Sequence, residues 1–419
     1  MRFSSLRGMQ DIIEEIHLWQ HIENNVREIF ENYNFQEIRT PILEKAEIFL
    51  RSIGENTDIV EKEMYIFNDK KGRTVALRPE GTASVVRAYI QHGLFNNPAP
   101  QKFYYIGPMF RYERPQKGRL RQFHQIGVEC FGVSSSFIDA ELIYMLKIFL
   151  EKLKIKNLAY EINSLGCKEC RAQYRKILFN FLSNRVSRLC DDCKRRFERN
   201  PLRVLDCKVE SCKEALKDIP LILEFLCSDC KAHFLSLQKE LDEMGISYTV
   251  NPKIVRGLDY YTRTVFEVTT TMLGAQNAVA AGGRYDDLVE SFGGPPTPAI
   301  GFAIGIERLI ELCSTTLTVN PKRPIVYVTY LGNDLRTEAK KVVNFLRENN
   351  IPTEISYEET SLKSQMRKAD KFGVKIVIII GEDEIKKGVY KWKNMQTGLQ
   401  GECSFQELID LIRRHNDQS

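Results

Sequence analysis

Two strand-like stretches joined by a short loop constrain the fold of this chain more than any other feature. KFYYIGPMFRYE (102–113) and RQFHQIGVECFG (121–132) are rich in aromatic and β-branched residues, and the polar stretch RPQKG lies between them. Strands separated by so short a loop pair as an antiparallel hairpin. The sequence therefore predicts an antiparallel hairpin with a basic loop at its tip.

Helical patterns precede and follow the hairpin. Between Ile12 and Tyr33, apolar residues recur every three or four positions, which predicts an amphipathic helix. DAELIYMLKIFLEKL (139–153) predicts a second helix. With 419 residues, 43% of them apolar, the chain is long enough for two or three domains.

The distribution of cysteines indicates an insertion. Eight of the 11 cysteines fall between residues 167 and 230, as CKEC, CDDC, CKVESC and CSDC. The pattern from about 167 to 247 is mainly helical, and strand and glycine patterning resumes afterwards with RGLDYYTRTVFEV. We therefore expect a helical domain at 167–247, inserted into a larger domain that spans 1–320.

A further domain is expected at 321–419. Strand and helix patterns alternate there, beginning with IVYVTY and LRTEAKKVVNFLREN and continuing to VKIVIIIG. Such alternation predicts a small α/β domain with a mostly parallel sheet.

The spacing of the cysteines has three interpretations. Paired CxxC units in a chain without an apolar signal core favour metal ligation over structural disulfides. One or two structural Zn²⁺ ions, reduced thiols without metal, and redox chemistry are all open, and the spacing does not say which pairs combine. The candidate ligands are Cys167, Cys170, Cys190, Cys193, Cys207, Cys212, Cys227 and Cys230.

Charge and hydropathy exclude a membrane protein. The net charge of +5 comes from 60 basic and 55 acidic residues, so the composition indicates no strongly basic tail. The longest branched aliphatic run, IVIII at 376–380, is too short to span a bilayer, and the N-terminal MRFSSLRGMQ has no apolar signal core. We expect a cytoplasmic protein with no membrane partner.

Charged and aromatic residues gather at the base of the hairpin. By strand alternation, Phe123, Gln125 and Glu129 share one face of the second strand, while Arg111 and Arg119 flank the loop. A nucleotide would suit this arrangement, with guanidinium groups on its phosphates and an aromatic ring on its base. A solvent-facing side of the strand would produce the same alternation.

A second polar concentration lies at 256–267, RGLDYYTRTVFE. Arg256, Asp259 and the two tyrosines are more polar than a buried strand usually tolerates. Together they could bind a charged, planar ligand that is rich in donors and acceptors. The alternative is an edge strand with a solvated polar start.

Three shorter segments complete the candidate site. RPEGT (78–82) predicts the start of a helix, with Thr82 as its cap and Glu80 at the turn. The glycines of AAGGRYDD (280–287) and GFAIGIER (301–308) would let a ligand or another strand approach the backbone closely.

Six segments together resemble the histidyl-tRNA synthetases, a family of class II aminoacyl-tRNA synthetases. They cover both halves of the catalytic core in the family's order, and RGLDYY and GGRYD are similar to its histidine-recognition elements. The segments are RGMQD (7–11), RPEGT (78–82), FRYERPQKGRLRQFHQIGVE (110–129), RGLDYY (256–261), GGRYD (282–286) and GFAIGIERL (301–309).

This resemblance implies an α+β fold: a class II catalytic core with a six-stranded antiparallel sheet, a helical insertion domain and a C-terminal α/β anticodon-binding domain. It also implies a homodimer, with Pro41 at the expected position of the first class II motif. L-histidine and ATP would give histidyl-adenylate and pyrophosphate, with Mg²⁺ screening the leaving group. The 3′ end of histidine tRNA would then take the histidyl group.

The resemblance also assigns roles to single residues. Arg111 would bind the α-phosphate and Arg256 would approach the carboxylate and phosphate from the opposite side, as the two catalytic cations. The residues expected at histidine are Glu80, Thr82, Arg111, Gln125, Glu129, Arg256, Tyr260, Tyr261 and Tyr285, and those expected at ATP are Arg111, Glu113, Arg119, Phe123 and Arg308.

The implied tRNA contacts lie in the hairpin loop. Arg114 and Gln116 resemble residues that meet the acceptor end of the tRNA. KRRFERNPLR (194–203), with five basic residues and one acidic residue, is consistent with an acceptor-stem contact or with a solvated helix face.

Two other functions fit parts of the pattern. A noncatalytic paralogue would regulate ATP phosphoribosyltransferase in histidine synthesis, but such proteins typically lack the anticodon domain and these arginines. A stress-sensing tRNA-binding module would usually be joined to a kinase region, and the sequence contains no kinase signature.

Overall fold

The computed structural model describes residues 3–54, 57, 59–115, 118–273, 277–319 and 323–416. Two compact units divide the chain, Met1–Val319 and Asn320–Ser419, and each is described by itself.

A large antiparallel sheet is the centre of the first unit. Its hydrogen-bonded order is β1-β5-β6-β11-β10-β9-β7-β8, and every ladder is antiparallel except the two that involve the short edge strands β1 and β8. The strands are β1 Gln36–Glu37, β5 Gln101–Phe110, β6 Gln122–Phe131, β7 Leu158–Ser164, β8 Tyr248–Val250, β9 Thr262–Thr270, β10 Ala278–Arg284 and β11 Ala299–Gly305. A separate small sheet contains β2 Leu43–Lys45, β3 Ile66–Asn68 and β4 Thr74–Leu77. The six strands between the edges confirm the predicted antiparallel core.

The predicted hairpin is present, and its two strands, β5 and β6, pair along their whole length. Gln101 pairs with Phe131 and Phe110 pairs with Gln122, so all ten residues of β5 face β6. On β6, Ile126, Val128 and Cys130 pack into the main apolar core. The opposite face of this strand is therefore free to carry the polar side chains of a site.

Helices cover the apolar face of the sheet. Apolar residues of α1, α4 and α10 join the same core cluster as the strands. The helices of this unit are α1 Ile16–Asn32, α2 Ala46–Ile53, α3 Thr82–Gln91, α4 Ser136–Lys152, α5 Lys168–Ser183, α6 Asp191–Arg199, α7 Glu210–Ala215, α8 Ser228–Glu243, α9 Leu288–Ser291 and α10 Ile306–Cys313.

The first helix begins later than its apolar pattern predicts. It starts at Ile16 rather than Ile12, and a turn occupies the residues just before it. Ile12 packs against the core from the non-helical segment, whereas Ile13 is 74% exposed. Apolar spacing therefore overestimates the length of the helix, because Ile12 packs against the core from outside the helix.

The cysteine-rich segment leaves the sheet at Ser164 and returns to it at Tyr248. It contains four helices, α5 to α8, together with short 3₁₀ turns such as Pro201–Asp206, and it is mainly helical as predicted. The last of the four, α8, contributes Phe234, Leu237 and Leu241 to the core beneath the sheet. This helix thus packs against the large sheet of the first unit.

The second unit contains a five-stranded sheet in the order β13-β12-β14-β15-β16. The three predicted strands are parallel, but β15 and β16 form an antiparallel hairpin that the alternating pattern did not predict. The alternation of aromatic and polar residues in YKWKN was an available signal for β15, whereas β16 is only four residues long. The elements are β12 Val326–Tyr330, α11 Arg336–Glu348, β13 Thr353–Ile355, α12 Leu362–Phe372, β14 Ile376–Ile380, α13 Glu382–Lys386, β15 Tyr390–Asn394, β16 Gln400–Cys403 and α14 Leu408–Asn416.

Candidate active site

One cleft on the polar face of the large sheet collects almost all the predicted site residues. Strands β5, β6, β9, β10 and β11 form its floor, and the start of α3 and the loop 256–261 form its walls. The predicted residues that line the cleft are Glu80, Thr82, Arg111, Glu113, Arg119, Phe123, Gln125, Arg256, Tyr260, Tyr261, Tyr285 and Arg308.

Glu129 lies directly behind this lining and is buried. Thr82 donates a hydrogen bond of 2.7 Å from Oγ1 to Oε1 of Glu129, and the phenol of Tyr285 donates to the other carboxylate oxygen. Burial raises the pKa of Glu129 to about 8, although hydrogen bonds from Tyr285 and Thr82 oppose the rise. The inner end of the cleft therefore presents an acidic group that can accept or donate a proton near neutral pH.

The side chain that caps α3 is Glu80. Its carboxylate accepts hydrogen bonds from the backbone N–H groups of Thr82 (2.6 Å) and Ala83 (2.9 Å). Thr82 was predicted as the cap, but it is the first residue of the helix and its hydroxyl points to Glu129. The carboxylate of Glu80 faces the positive end of the helix, and burial nevertheless raises its pKa.

Tyrosine rings form the apolar wall around Glu129. The ring centroids of Tyr260 and Tyr261 are 4.7 Å apart, and those of Tyr260 and Tyr285 are 5.7 Å apart. Burial raises the pKa of all three phenols, so they stay neutral and act as hydrogen-bonding groups.

Sequence reasoning missed Tyr105, which lines the same cleft. Its ring fits between Gly81 and Gly127: a Cβ atom added at either glycine would lie 2.2 Å from Cζ of Tyr105. The alternation of β5 together with the two glycines was the available signal, but nothing local showed that they face each other.

Gly301 likewise leaves space for a neighbouring side chain, in this case the carboxylate of Glu129. A Cβ atom there would lie 2.1 Å from the Oε2 atom of Glu129, so a side chain at this position would displace the buried carboxylate. The predicted close approach at GFAIGIER is thus an approach of a neighbouring strand, since Gly301 pairs with Glu129 in the β6–β11 ladder.

Cations dominate the outer end of the cleft. Arg111 lies 5.2 Å from the ring centroid of Phe123, and its Nε donates to the carbonyl of Pro79 at 2.9 Å. Arg119 pairs with Glu113 at 3.1 Å, and Arg308 donates to the carbonyl of Ala278. Burial and the nearby charge of Arg119 lower the pKa of Arg308. This end suits a polyanion that stacks on an aromatic ring.

Arg256 approaches the cleft from the opposite wall and pairs with Glu267 at 3.2 Å. Glu267 also lines the cleft, and burial raises its pKa. Glu267 was not among the predicted site residues, although a carboxylate inside the apolar strand pattern TVFEV was a usable signal.

One predicted tRNA contact, Arg114, lies outside this cleft. Arg114 is exposed and lines a separate shallow groove with Arg7, Tyr112 and Arg121. Gln116 lies outside the described residues. Within KRRFERNPLR, Arg203 is only 9% exposed and contacts Gly257, so it neither faces solvent nor offers an RNA contact.

The eight clustered cysteines form two sets of four. Cys167, Cys170, Cys227 and Cys230 make one set, and Cys190, Cys193, Cys207 and Cys212 make the other; the four Sγ atoms of each set lie within 4.8 Å of one another. The Sγ atoms of Cys167 and Cys170 are 3.6 Å apart, and those of Cys190 and Cys207 are 3.9 Å apart. These distances exclude disulfides, whose S–S length is about 2.05 Å.

No helix in the described part of the chain is both long and apolar enough to cross a membrane.

Known proteins resemble this chain over its whole length. The sequence model described as Histidyl-tRNA synthetase matches residues 8–309, and the one described as Anticodon binding domain matches residues 325–415. A protein of Thermodesulfovibrio yellowstonii named "Histidine--tRNA ligase" is 78% identical over 418 residues, which cover 100% of both chains.

Solved structures show the same relationship. The apo histidyl-tRNA synthetase of S. aureus is 36% identical, with a TM-score of 0.84 over 98% of this chain and 100% of that one. A Bacillus halodurans structure described as an ATP phosphoribosyltransferase regulatory subunit/histidyl-tRNA synthetase is 22% identical, with a TM-score of 0.65 over 91% of this chain and 99% of that one, and it shows the fold alone.

Proposed function

The chain belongs to the histidyl-tRNA synthetase family and attaches histidine to tRNA using ATP and Mg²⁺, and from that premise we propose which residues carry the reaction. The supporting observation is a single cleft with a buried carboxylate at one end and arginines at the other. A noncatalytic regulatory role is not favoured, given the full-length identity to a ligase and a C-terminal unit that matches the anticodon-binding model.

The inner end of the cleft binds histidine. A neutral imidazole has one N–H donor and one N acceptor. The carboxylate of Glu129 accepts the donor, while the phenol of Tyr261 or Tyr285 donates to the other ring nitrogen. Glu80, Thr82 and Gln125 surround the α-amino group, and Tyr260 closes the aromatic wall. Two observations support this assignment: the residues share one cleft, and Thr82 and Tyr285 donate hydrogen bonds to Glu129.

The outer end binds ATP. Phe123 stacks on adenine, Arg111 contacts the α-phosphate, and Arg119 and Arg308 contact the outer phosphates or stack on the base. Glu113 holds Arg119 at 3.1 Å in the free enzyme. Mg²⁺ bound to ATP would supply positive charge that screens the pyrophosphate beside Arg119 and Arg308.

The reaction places the two substrates in line. A carboxylate oxygen of histidine attacks the α-phosphorus, a new P–O bond forms, and the bond to pyrophosphate breaks. Arg111 and Arg256 approach from opposite walls and offset the negative charge that gathers on the α-phosphate oxygens. Arg256 pairs with Glu267 at 3.2 Å, which keeps the guanidinium at the cleft before the substrates arrive. In the second step, a hydroxyl at the tRNA 3′ end attacks the histidyl carbonyl and releases AMP.

Four further proposals concern the dimer, the domain bounds, the tRNA contacts and the location. Ile42 and Leu43 follow Pro41 directly, and Ile66 and Phe67 lie on a strand of the small sheet that contains Leu43. All four are at least 42% exposed, so we propose this surface for the homodimer. We also propose a core at 1–320 interrupted by the insertion at 167–247, an anticodon-binding domain at 321–419, tRNA acceptor-end contacts at Arg114 and Gln116, and a cytoplasmic location.

The two cysteine sets fit Zn²⁺. A Zn–S bond of about 2.3 Å in a tetrahedron requires sulfur atoms roughly 3.8 Å apart, close to the 3.6 and 3.9 Å found here. Backbone N–H groups also support the sulfurs: Cys227 donates to Sγ of Cys170 at 3.2 Å, and Cys190 donates to Sγ of Cys212 at 3.1 Å. We propose that each set holds one structural Zn²⁺.

Elemental analysis tests the zinc proposal. We expect two equivalents per chain, one fewer in Cys167→Ser or in Cys190→Ser, and no change in Cys403→Ser, which lies outside both sets. Less than about a tenth of an equivalent in the parent protein would contradict metal binding.

ATP–pyrophosphate exchange without tRNA tests the assignment of the cleft. Each standard amino acid is supplied in turn, and exchange is expected with histidine alone. Exchange driven by a different amino acid, or none from folded protein, would contradict it.

A further inference from the structure

We propose that the two four-cysteine centres hold the loop 256–261 in its substrate-binding position, so that the affinity for histidine depends on metal occupancy. This inference rests on the proposed zinc and histidine sites. It concerns residues that touch neither substrate: Arg171, Asn200 and Arg203 are positioning residues that lie between the cysteines and the loop.

The first centre positions Arg171. This residue follows Cys170 directly, in the first turn of α5, and its backbone N–H donates to the carbonyl of Cys167 at 3.0 Å. Its Nη1 donates to the carbonyl oxygens of Tyr261 at 2.8 Å and Asp259 at 3.2 Å. Cross-linking α5 to the start of α8 through four thiolates would fix the helix end from which this guanidinium reaches the loop.

The same centre is bound to the chain just after the loop. Leu165 donates to the carbonyl of Arg263 at 2.7 Å, and Arg263 donates to the carbonyl of Gly166 at 2.8 Å. Gly166 has a φ of +67°, and a Cβ atom there would lie 2.4 Å from Cβ of Cys170. The turn that brings Cys167 and Cys170 together is thus packed directly onto the end of the histidine-binding segment.

The second centre positions Asn200 and Arg203. Both lie between Cys193 and Cys207, and both are at least nine-tenths buried. Arg203 donates to the carbonyl of Gly257 at 2.6 Å, and Asn200 donates to the carboxylate of Asp259 at 3.2 Å. Four thiolates on one ion would fix both ends of the short segment that carries these contacts.

The loop needs such support because it belongs to no helix or strand. Its described backbone runs through bends and turns, yet Arg256, Tyr260 and Tyr261 must all project into the cleft. The carbonyl groups of three alternate residues, Gly257, Asp259 and Tyr261, accept hydrogen bonds from insertion arginines. Losing a metal would release the donors, and the loop would place the tyrosines and Arg256 less accurately.

Substitution of the arginines tests the contacts. We expect Arg171→Ala and Arg203→Ala in the full chain to raise the KM for histidine in ATP–pyrophosphate exchange at least about fivefold. The KM for ATP should change by less than about twofold. Hydrogen exchange at residues 256–263 should accelerate in both variants. Arg188→Ala is the matched control, because this insertion arginine is exposed and has no described contact with the loop.

Metal removal tests the dependence on the centres. The full-length protein is treated with a chelator and assayed for residual zinc. It should show the same rise in histidine KM and the same faster hydrogen exchange at 256–263. Added Zn²⁺ should reverse both changes. Zinc that is present but can be removed without either change would overturn this inference and leave the zinc sites supported. An unchanged histidine KM in Arg171→Ala and Arg203→Ala would also overturn the proposed dependence on the cysteine centres. In that case, ATP–pyrophosphate exchange that is specific for histidine would still support the assignment of the cleft.

Discussion

Thr82 and Glu129 are joined by a hydrogen bond of 2.7 Å between side chains that lie 47 residues apart in the chain. One comes from the start of α3 and the other from the middle of the central sheet. Together with Tyr285, the bond fixes the carboxylate where the imidazole of histidine is proposed to bind. At pH 9, where the carboxyl group of Glu129 is ionised, Glu129→Gln should raise the histidine KM about tenfold or more, because an amide is a weaker acceptor than a carboxylate. An unchanged KM would contradict the proposed contact.

The same substitution should change how stability depends on pH. The pKa of Glu129 is raised from 4.5 to about 8, so the folded protein binds more protons than the unfolded chain between these values. The stability that this group contributes is therefore complete below about pH 4.5 and is lost as the pH rises through 8. Calorimetry without substrates should show the Tm of Glu129→Gln gaining on the parent Tm from pH 6 to pH 9. A constant difference would contradict the raised pKa.

Arg256→Ala should slow adenylate formation about 100-fold or more, because the variant loses one of two cations proposed to act on the transition state. Single-turnover adenylate formation measures the effect, and circular dichroism should show an unchanged fold. Glu267→Gln is the matched comparison, since it removes the partner of Arg256 at 3.2 Å but keeps the cation. A rate for Arg256→Ala within about twofold of the parent rate would remove this residue from the mechanism.

Gly127→Ala should both destabilise the protein and impair histidine binding. The new Cβ atom would lie 2.2 Å from Cζ of Tyr105, so the ring must move into the cleft. Overpacking of this kind costs about 1–3 kcal/mol, measured as the free energy of unfolding in denaturant. Tyr105→Leu in the same chain shortens the conflicting side chain and should recover part of the stability. Without such recovery, the proposed clash would not be the cause.

Arg284→Met should destabilise the core by about 3–5 kcal/mol, because it leaves a buried carboxylate without its cation. Arg284 and Asp139 are both fully buried and lie 2.8 Å apart, and Arg284 also donates to the carbonyls of Val133 and Ser135. Arg27→Met removes partly exposed pairs with Glu23 and Glu37 and should cost less than about 1 kcal/mol. Equal losses in the two variants would show that burial does not govern the strength of these pairs.

Arg114→Ala should separate the two steps of the reaction. The residue is exposed and lies outside the cleft, so exchange without tRNA should keep its parent rate. Aminoacylation should show a kcat/KM for tRNA about tenfold lower, with a smaller slope against salt. Lys239→Ala, an exposed substitution on α8, should change neither assay. Loss of exchange in Arg114→Ala would place this residue in the first step instead.

Local patterns determined the elements of the core and much of the site. Alternation in RQFHQIGVECFG assigned one face to the core and one to the cleft, and β6 has that arrangement. The predicted site residues on the hairpin, on RPEGT and on RGLDYY meet in one cleft because each segment contributes adjacent or alternating positions to one face. The hairpin of β15 and β16 was missed although YKWKN alternates aromatic and polar residues, because β16 is only four residues long and has no distinctive pattern.

Contacts between distant segments were decided by the tertiary structure alone. The spacing of the CxxC units did not show that Cys167 and Cys170 join Cys227 and Cys230, because only the fold brings the starts of α5 and α8 together. The sequence placed Arg203 in the basic segment KRRFERNPLR, but in the structure it is buried and donates to the carbonyl of Gly257. Tyr105 gained its position from two glycines on different elements. A chain of periodic segments fixes which side of each element is polar, but only close packing decides which polar sides meet.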